Sequence, residues 1–223
     1  MKNIFFILFL GVLLFACKKD TNDYVAPEIG HKYAGLTLGK YVVYDVDSLF
    51  YDDFTASVDT AIYQIKELVA EAYTDLEGEQ AFKINRYRRN HDTLAWVLID
   101  VWNAKLTQTN FQKAEENVRF VKLIFPVGNG KVWNGNSMNT MAEWEYEYES
   151  IDQPENVGGN PLAKVLTVNQ LENINLIEEQ QFLEKYAENV GLVYKKSKDL
   201  VRDNLSSPWR GYDVTYTLKS YGN

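Results

Sequence analysis

Residues 142–149 read AEWEYEYE, and this strict alternation is the clearest structural signal in the chain. Ala142, Trp144, Tyr146 and Tyr148 fall on one side of an extended backbone, and Glu143, Glu145, Glu147 and Glu149 on the other. A period of two with aromatics on one side predicts a half-buried strand. On a helix the same residues would scatter around the cylinder. The stretch NVRFVKLIFPV, residues 117–127, is apolar on both faces, with Val118, Phe120 and Ile124 on one and Val121, Leu123 and Phe125 on the other. That pattern predicts a central strand covered on both sides. Further strand candidates are YVVYDVDSLFY, AFKINRYRR, LAWVLIDVW, KVLTVNQL, GLVYKKSKDLV and YDVTYTLKSY. Turn signals at Asn129-Gly130, Asn134-Gly135, Gly158-Gly159 and Ser207-Pro208 punctuate them. No internal repeat or second composition regime interrupts residues 36–223, so one β-rich domain is expected there.

Two segments fit helix as well as strand. In residues 60–73, Ile62, Ile65, Val69 and Tyr73 have helical spacing, with Asp59 or Thr60 placed to cap the first turn. Yet Tyr63, Ile65, Val69 and Tyr73 also obey a period of two. Residues 177–190 open with acids and close at Gly191, as a helix would.

The amino-terminal pattern is different. Lys2 precedes an unbroken apolar run from Ile4 to Leu14, and polarity begins at CKKDTND. A membrane-spanning helix needs about 20 apolar residues, so the shorter run predicts a secretory signal peptide over residues 1–16. Residues 17–35 have no periodicity and contain Pro27 and Gly30, which predicts a flexible tether.

Charge narrows the partners. The chain carries a formal −8, and loss of residues 1–16 removes one lysine and no acid, giving −9 for the mature form. Nucleic acid demands clustered Lys and Arg, so it is excluded as a partner. An anionic membrane surface would not hold this domain by charge either.

Leu14-Phe15-Ala16-Cys17 resembles a bacterial lipobox, with Phe15 bulkier than the usual occupant of its position. The resemblance implies cleavage before Cys17, lipidation of its sulfur and acylation of the new amino group. Cys17 is the only cysteine, so no disulfide partner competes for it. Each buried acyl methylene contributes about 0.8 kcal/mol, and several chains make anchoring effectively permanent. Lys18-Lys19-Asp20 partly resembles the export signal of surface lipoproteins in Bacteroidota. That resemblance favours an outer-membrane protein exposed at the cell surface over one facing the periplasm.

The phrases DTAIYQIKELV, NVRFVKLIFPVGNGKVWNGN, EKYAENVGLVYKK and YDVTYTLKSYG together resemble Bacteroidota outer-membrane or surface lipoproteins of unknown function. YAENVGLVYKK is also similar to a hairpin of LolA-like lipoprotein-handling domains. This implies a mainly β fold with one long, curved antiparallel sheet, a half-barrel or incomplete barrel with at most one or two helices. A closed lipocalin-like barrel is the alternative. The resemblance tips both ambiguous segments toward strand.

Chemistry is sparse. His31 falls in the tether and His91 in a turn-like setting, where exposed loop histidines are the ordinary case. No Cys or His pair has ligand spacing, so no metal site and no cofactor is expected. The glutamates of EWEYEYES are expected on a solvated face, matched by a basic strand such as KINRYRR. A carboxylate pair of the glycosidase type is defined by distance, which a sequence does not display. Trp96, Trp102 and Trp133 are the candidate ligand-binding aromatics, lining a cavity or a sugar-stacking platform. Trp133 lies in a turn-rich stretch, where it could be exposed or could close the end of a barrel. Ser48, Thr60 and Thr93 each follow an Asp and precede an aliphatic residue or alanine, resembling O-glycosylation sites of exported Bacteroidota proteins. The expected function is non-catalytic: a lipid-anchored binding or interaction module for an apolar or glycan-like ligand or an envelope protein. A carboxylate-dependent envelope hydrolase and a purely structural partner of an outer-membrane complex are the alternatives.

Overall fold

A computed structural model of the chain describes residues 28–223. The signal peptide, Cys17 and the first part of the expected tether lie outside those residues. Twelve strands follow a 3₁₀ turn at His31–Ala34. They are β1 (Tyr41–Asp52), β2 (Ser57–Thr74), β3 (Gln80–Arg89), β4 (Val97–Leu106), β5 (Asn110–Glu115) and β6 (Val118–Ile124). After a loop come β7 (Val132–Asn134), β8 (Glu145–Val157), β9 (Asn160–Ile174), β10 (Glu178–Ala187), β11 (Gly191–Val201) and β12 (Arg210–Gly222). All belong to one antiparallel sheet in the order β6-β5-β4-β3-β2-β1-β12-β11-β10-β9-β8-β7. The fold is therefore mainly β, a single sheet curled nearly into a barrel. Among the described residues the 3₁₀ turn is the one helical element.

Both ambiguous segments are strand: residues 60–73 lie inside β2, and 178–187 of the second form β10, with 188–190 in the turn before β11. The AEWEYEYE alternation is realised from Glu145 onward: Tyr146 and Tyr148 are buried and Glu145, Glu147 and Glu149 exposed, whereas Ala142 is exposed and Trp144 half-buried ahead of the strand. The strand begins at Glu145 and pairs with β7 and β9. The basic strand β3 pairs instead with β2 and β4, so the expected match between those charges does not occur.

The expectation of a central strand at residues 117–127 is corrected. β6 is a terminal strand of the sheet, at the opposite end of the strand order from β7. Its apolar residues are covered because the sheet curls round and brings β7 and β8 against it. No ladder joins the two ends. Val121 N–H donates to Gly135 O at 2.9 Å, and Val121 O accepts from the Trp133 indole N–H at 2.9 Å. The Tyr148 hydroxyl accepts from Ile124 N–H at 2.9 Å and donates to Ile124 O at 2.8 Å. Asn139 Nδ2 donates to Arg119 O at 2.9 Å. Side chains thus satisfy backbone groups that a neighbouring strand would otherwise pair.

Residues 28–35 are not a free tether; the tether boundary moves accordingly. Tyr33 and Ala34 are buried in the same apolar cluster as Phe111, Phe125 and Tyr186. Ile29 O accepts from Val127 N–H, and Lys32 O from Asn189 N–H, both at 3.0 Å. The Tyr33 hydroxyl donates to Asp152. Gly35, at φ 64°, lies so close to the turn after β10 that a Cβ would come within 2.5 Å of Val190 O. The segment stoppers one end of the barrel.

Two changes probe these contacts. Trp133→Phe and Tyr148→Phe each leave buried backbone groups of β6 unpaired, and each should lower stability by about 1–3 kcal/mol. Urea unfolding followed by fluorescence or circular dichroism measures this; unchanged midpoints would show that the seam bonds contribute nothing. Gly35→Ala should destabilise by at least about 1 kcal/mol, since both backbone conformation and space oppose a side chain there.

Candidate functional site

Two apolar clusters, one around Phe111, Tyr146 and Tyr148 and one around Tyr44, Ile65 and Leu218, fill most of the barrel interior, and a charged network runs among them. Glu184 on β10 is 1% exposed, and its carboxylate lies 2.9 Å from Lys122 Nζ and 3.4 Å from Lys195 Nζ. It also accepts from the Tyr186 hydroxyl at 2.6 Å. Glu115 lies 3.2 Å from the same Lys122 and 3.3 Å from Lys195. Burial pushes both carboxyls up, but the surrounding lysines outweigh it and hold them below the ordinary glutamate value. Burial alone would lower the lysines, yet Glu115 and Glu184 hold Lys122 and Lys195 above the usual lysine value.

A second group continues the network. Glu67 contacts Lys113 Nζ at 2.7 Å and Arg86 Nε at 3.3 Å. The Arg86 guanidinium stacks 3.6 Å above the Trp102 ring. The Trp102 indole N–H donates to Asp100 Oδ2 at 2.7 Å. Trp102, expected to contact ligand, is therefore a buried stacking partner inside the barrel. Beneath the amino-terminal stopper remains a cavity of about 50 Å³, bounded by Glu67, Lys113 and Glu115 on one side and Val69, Phe111 and Leu192 on the other. That space suits a few waters and is far below the roughly 300 Å³ of a small-molecule site.

Trp133 is likewise buried, at 9% exposure, with its ring 4.6 Å from that of Tyr148. Of the two readings of this tryptophan, closure of the barrel is the one realised, along the seam. Trp96 is the candidate that remains accessible. Residues 90–96, between β3 and β4, fold over the outer face of β1, β2 and β12. Asp92 fastens them, taking Arg89 at 2.6 Å and Lys219 at 2.9 Å. Those contacts, led by the Lys219 hydrogen bond, lower the Asp92 pKa. Arg89 also donates to Gln64 Oε1 at 2.6 Å, and Gln64 donates to Asp45 at 2.8 Å.

The fold-over leaves an outer groove of about 310 Å³. Val43 and Leu68 form its floor, Tyr41 and Trp96 its aromatic flanks, and Lys66, Arg89 and Lys219 its cations. Lys66 Nζ lies 4.6 Å from the Tyr87 ring centroid and 5.1 Å from that of Trp96. Arg89 packs 4.2 Å from the Trp96 ring. A larger depression of about 630 Å³ near Phe50 and Tyr212 is more open and is bordered by Asp52, Asp53 and Asp199 as well as Arg210.

The remaining candidates separate. Thr93 is exposed in the β3–β4 loop, with its hydroxyl 2.8 Å from His91 Nδ1. Thr60 is exposed within β2, and Ser48 is half-buried within β1 between Ala61 and Val214. His31 is not in a free tether; its ring meets Phe125 edge-on at 4.5 Å. One acidic cluster, Asp75, Glu77 and Glu79, has its ligand atoms within 4.8 Å of one another. Lys105 already fills its centre, 2.9 Å from Asp75, 2.5 Å from Glu77 and in contact with Glu79. Glu115 and Glu184 are the carboxylates most enclosed together. Both are held ionised, without the split between a proton donor and a base that glycoside hydrolysis uses.

The sign of the pH dependence follows from these pKa values. Glu115 and Glu184 sit below the reference value of 4.5, so the unfolded chain takes up protons first as pH falls. Their contribution is complete above about pH 4.5 and is lost progressively as pH drops through the folded values. The urea midpoint should fall over that acid range, and less steeply in a Lys122→Met/Glu184→Leu double variant. Glu184→Leu alone leaves Lys122 and Lys195 sharing Glu115, with one buried positive charge in excess, and should cost about 3–5 kcal/mol. An equal acid slope in the double variant would contradict this account.

No family model, curated protein or solved structure matches the chain.

Proposed function

We propose that the protein is a non-catalytic lipoprotein of the bacterial envelope, anchored through Cys17, whose domain binds its ligand on the outside of the barrel. The observation that carries this is a contrast of space. The interior is packed with apolar side chains and ion pairs around a cavity of about 50 Å³, whereas the outer surface carries depressions of about 310 Å³ and more, of which the groove beside Trp96 joins aromatic and cationic walls. An apolar ligand held inside the sheet, one of the expectations from sequence, finds no room of that size. A glycan-like ligand fits the groove better, because aromatic flanks, hydroxyls and cations are the groups that recognise sugars.

A second reading, docking to an envelope protein, is supported by β4. Its residues Asn103–Leu106 pair with β5, but Val97–Val101 have β3 on one side and no strand on the other. Val97, Leu98, Ile99 and Val101 are each about half exposed or more. Unpaired apolar edges are surfaces onto which another strand adds.

Two measurements test the proposal. Metabolic palmitate should label the wild type and not Cys17→Ala; equal labelling would overturn the anchor. On an array of bacterial glycans, Trp96→Ala should lose at least tenfold in retention. Unchanged retention would move the site away from the groove, and Ile99→Lys would then test the β4 edge by loss of a co-purifying partner.

A further inference from the structure

We infer that the outer groove recognises an anionic saccharide, with Lys66 as the group that takes its carboxylate. This rests on the outer groove being the binding site and specifies what it selects. The chain as a whole is acidic, at −8, yet the groove lining contains Lys66, Arg89 and Lys219 and no acidic side chain. Two of these cations are already answered. Arg89 is paired with Asp92, and Lys219 with both Asp92 and Asp45.

Lys66 differs from them. It alternates along β2 with Glu67, so its side chain leaves the barrel on the face opposite the interior network. Among the described residues Lys66 forms no ion pair: its neighbour Glu67 is taken by Arg86 and Lys113 on the other face, and Asp45 and Asp92 by Lys219. Its ammonium is held instead near the rings of Tyr87 and Trp96. Such a contact positions a cation without neutralising it. Asp92, through Arg89 and Lys219, and the Trp96 ring, packed against Arg89, tie the flanking loop to the sheet beside the ammonium.

The rest of the lining narrows the ligand. Val43 and Leu68 offer apolar surface to one face of a ring, and Tyr41 and Ser220, both hydroxyl-bearing, complete the lining. A volume of about 310 Å³ lies at the lower end of small-molecule sites. A sugar ring bearing a carboxylate combines all the required features: an apolar C–H face, hydroxyls and one negative charge.

The mature full-length chain can be titrated calorimetrically at low salt with tetragalacturonate and with its methyl ester, which has the same rings without the charge. The acid should bind at least tenfold more tightly than the ester. Lys66→Gln should remove that preference and Lys66→Arg should restore it, with unchanged urea midpoints confirming that the variants fold. Inorganic phosphate should compete only weakly. Equal binding of acid and ester, both lost in Trp96→Ala, would overturn the anionic preference while leaving the groove as the site. Binding of the acid that survives Trp96→Ala would overturn the groove itself. Full competition by phosphate would mean a general anion site, and no binding of either probe would overturn the saccharide assignment.

Discussion

The structure depends on how the two ends of one sheet meet. Twelve strands in a single antiparallel order leave β6 and β7 as edges, and exposed edges invite pairing with other chains. Here the curl of the sheet brings them together, but side chains complete the closure. The Trp133 indole and the Tyr148 hydroxyl take up the backbone groups of Val121 and Ile124. Gly135 contributes the one backbone carbonyl that Val121 N–H meets across the seam. Only glycine fits there, since a Cβ would lie 2.4 Å from the Tyr146 ring. The aromatics of the alternating EYEYES strand therefore serve as both core and closure.

Closure fixes what the interior can contain. Lys122 lies on β6, the strand beside the seam, and reaches Glu184 on β10. Its partner Glu115 sits on β5, and Lys195 on β11 completes the ring of charges. The network thus ties one end of the sheet to strands far along its order. Buried ion pairs are poor substitutes for apolar packing as a source of stability, because desolvation offsets much of their attraction. Their effect here is to fill and cross-link the barrel. A carrier of apolar molecules would keep that volume open and apolar. With the inside committed, recognition belongs to the outer surface, where the loop around Asp92 builds a groove against the sheet.

Much of the fold was readable from alternation, and the positions it left open or misread have a common cause. Tyr146 and Tyr148 alternate with exposed glutamates, so their strand was plain. Residues 60–73 and 177–190, tipped to strand by the resemblance alone, stayed open by pattern: Ile62, Ile65, Val69 and Tyr73 also have helical spacing, and Glu67 and Glu184 stand at interior positions, where alternation would place apolar residues. Only partners on other strands, Lys113, Arg86, Lys122 and Lys195, make those glutamates tolerable inside. Nothing within the segments announces them. The same reasoning explains β6, whose apolar residues on both faces suggested a central strand when they are covered by a seam formed with distant residues. Tryptophans were the right residue type to examine. However, Trp102 and Trp133 could not be distinguished from Trp96 without knowing which strands adjoin them. Lys66 carried no sequence signal at all, since its significance lies in the absence of an acidic neighbour in space.

The packed interior depends on the seam being closed. Amide hydrogen exchange at single-residue resolution measures that directly. Val121 and Ile124 should exchange as slowly as amides in the β1–β12 ladder, because their partners at Gly135 and Tyr148 hold them in the native state. Exchange at both residues as fast as in the exposed loop at residues 203–206 would contradict it. The barrel would then open along β6 and its interior would be accessible to ligand.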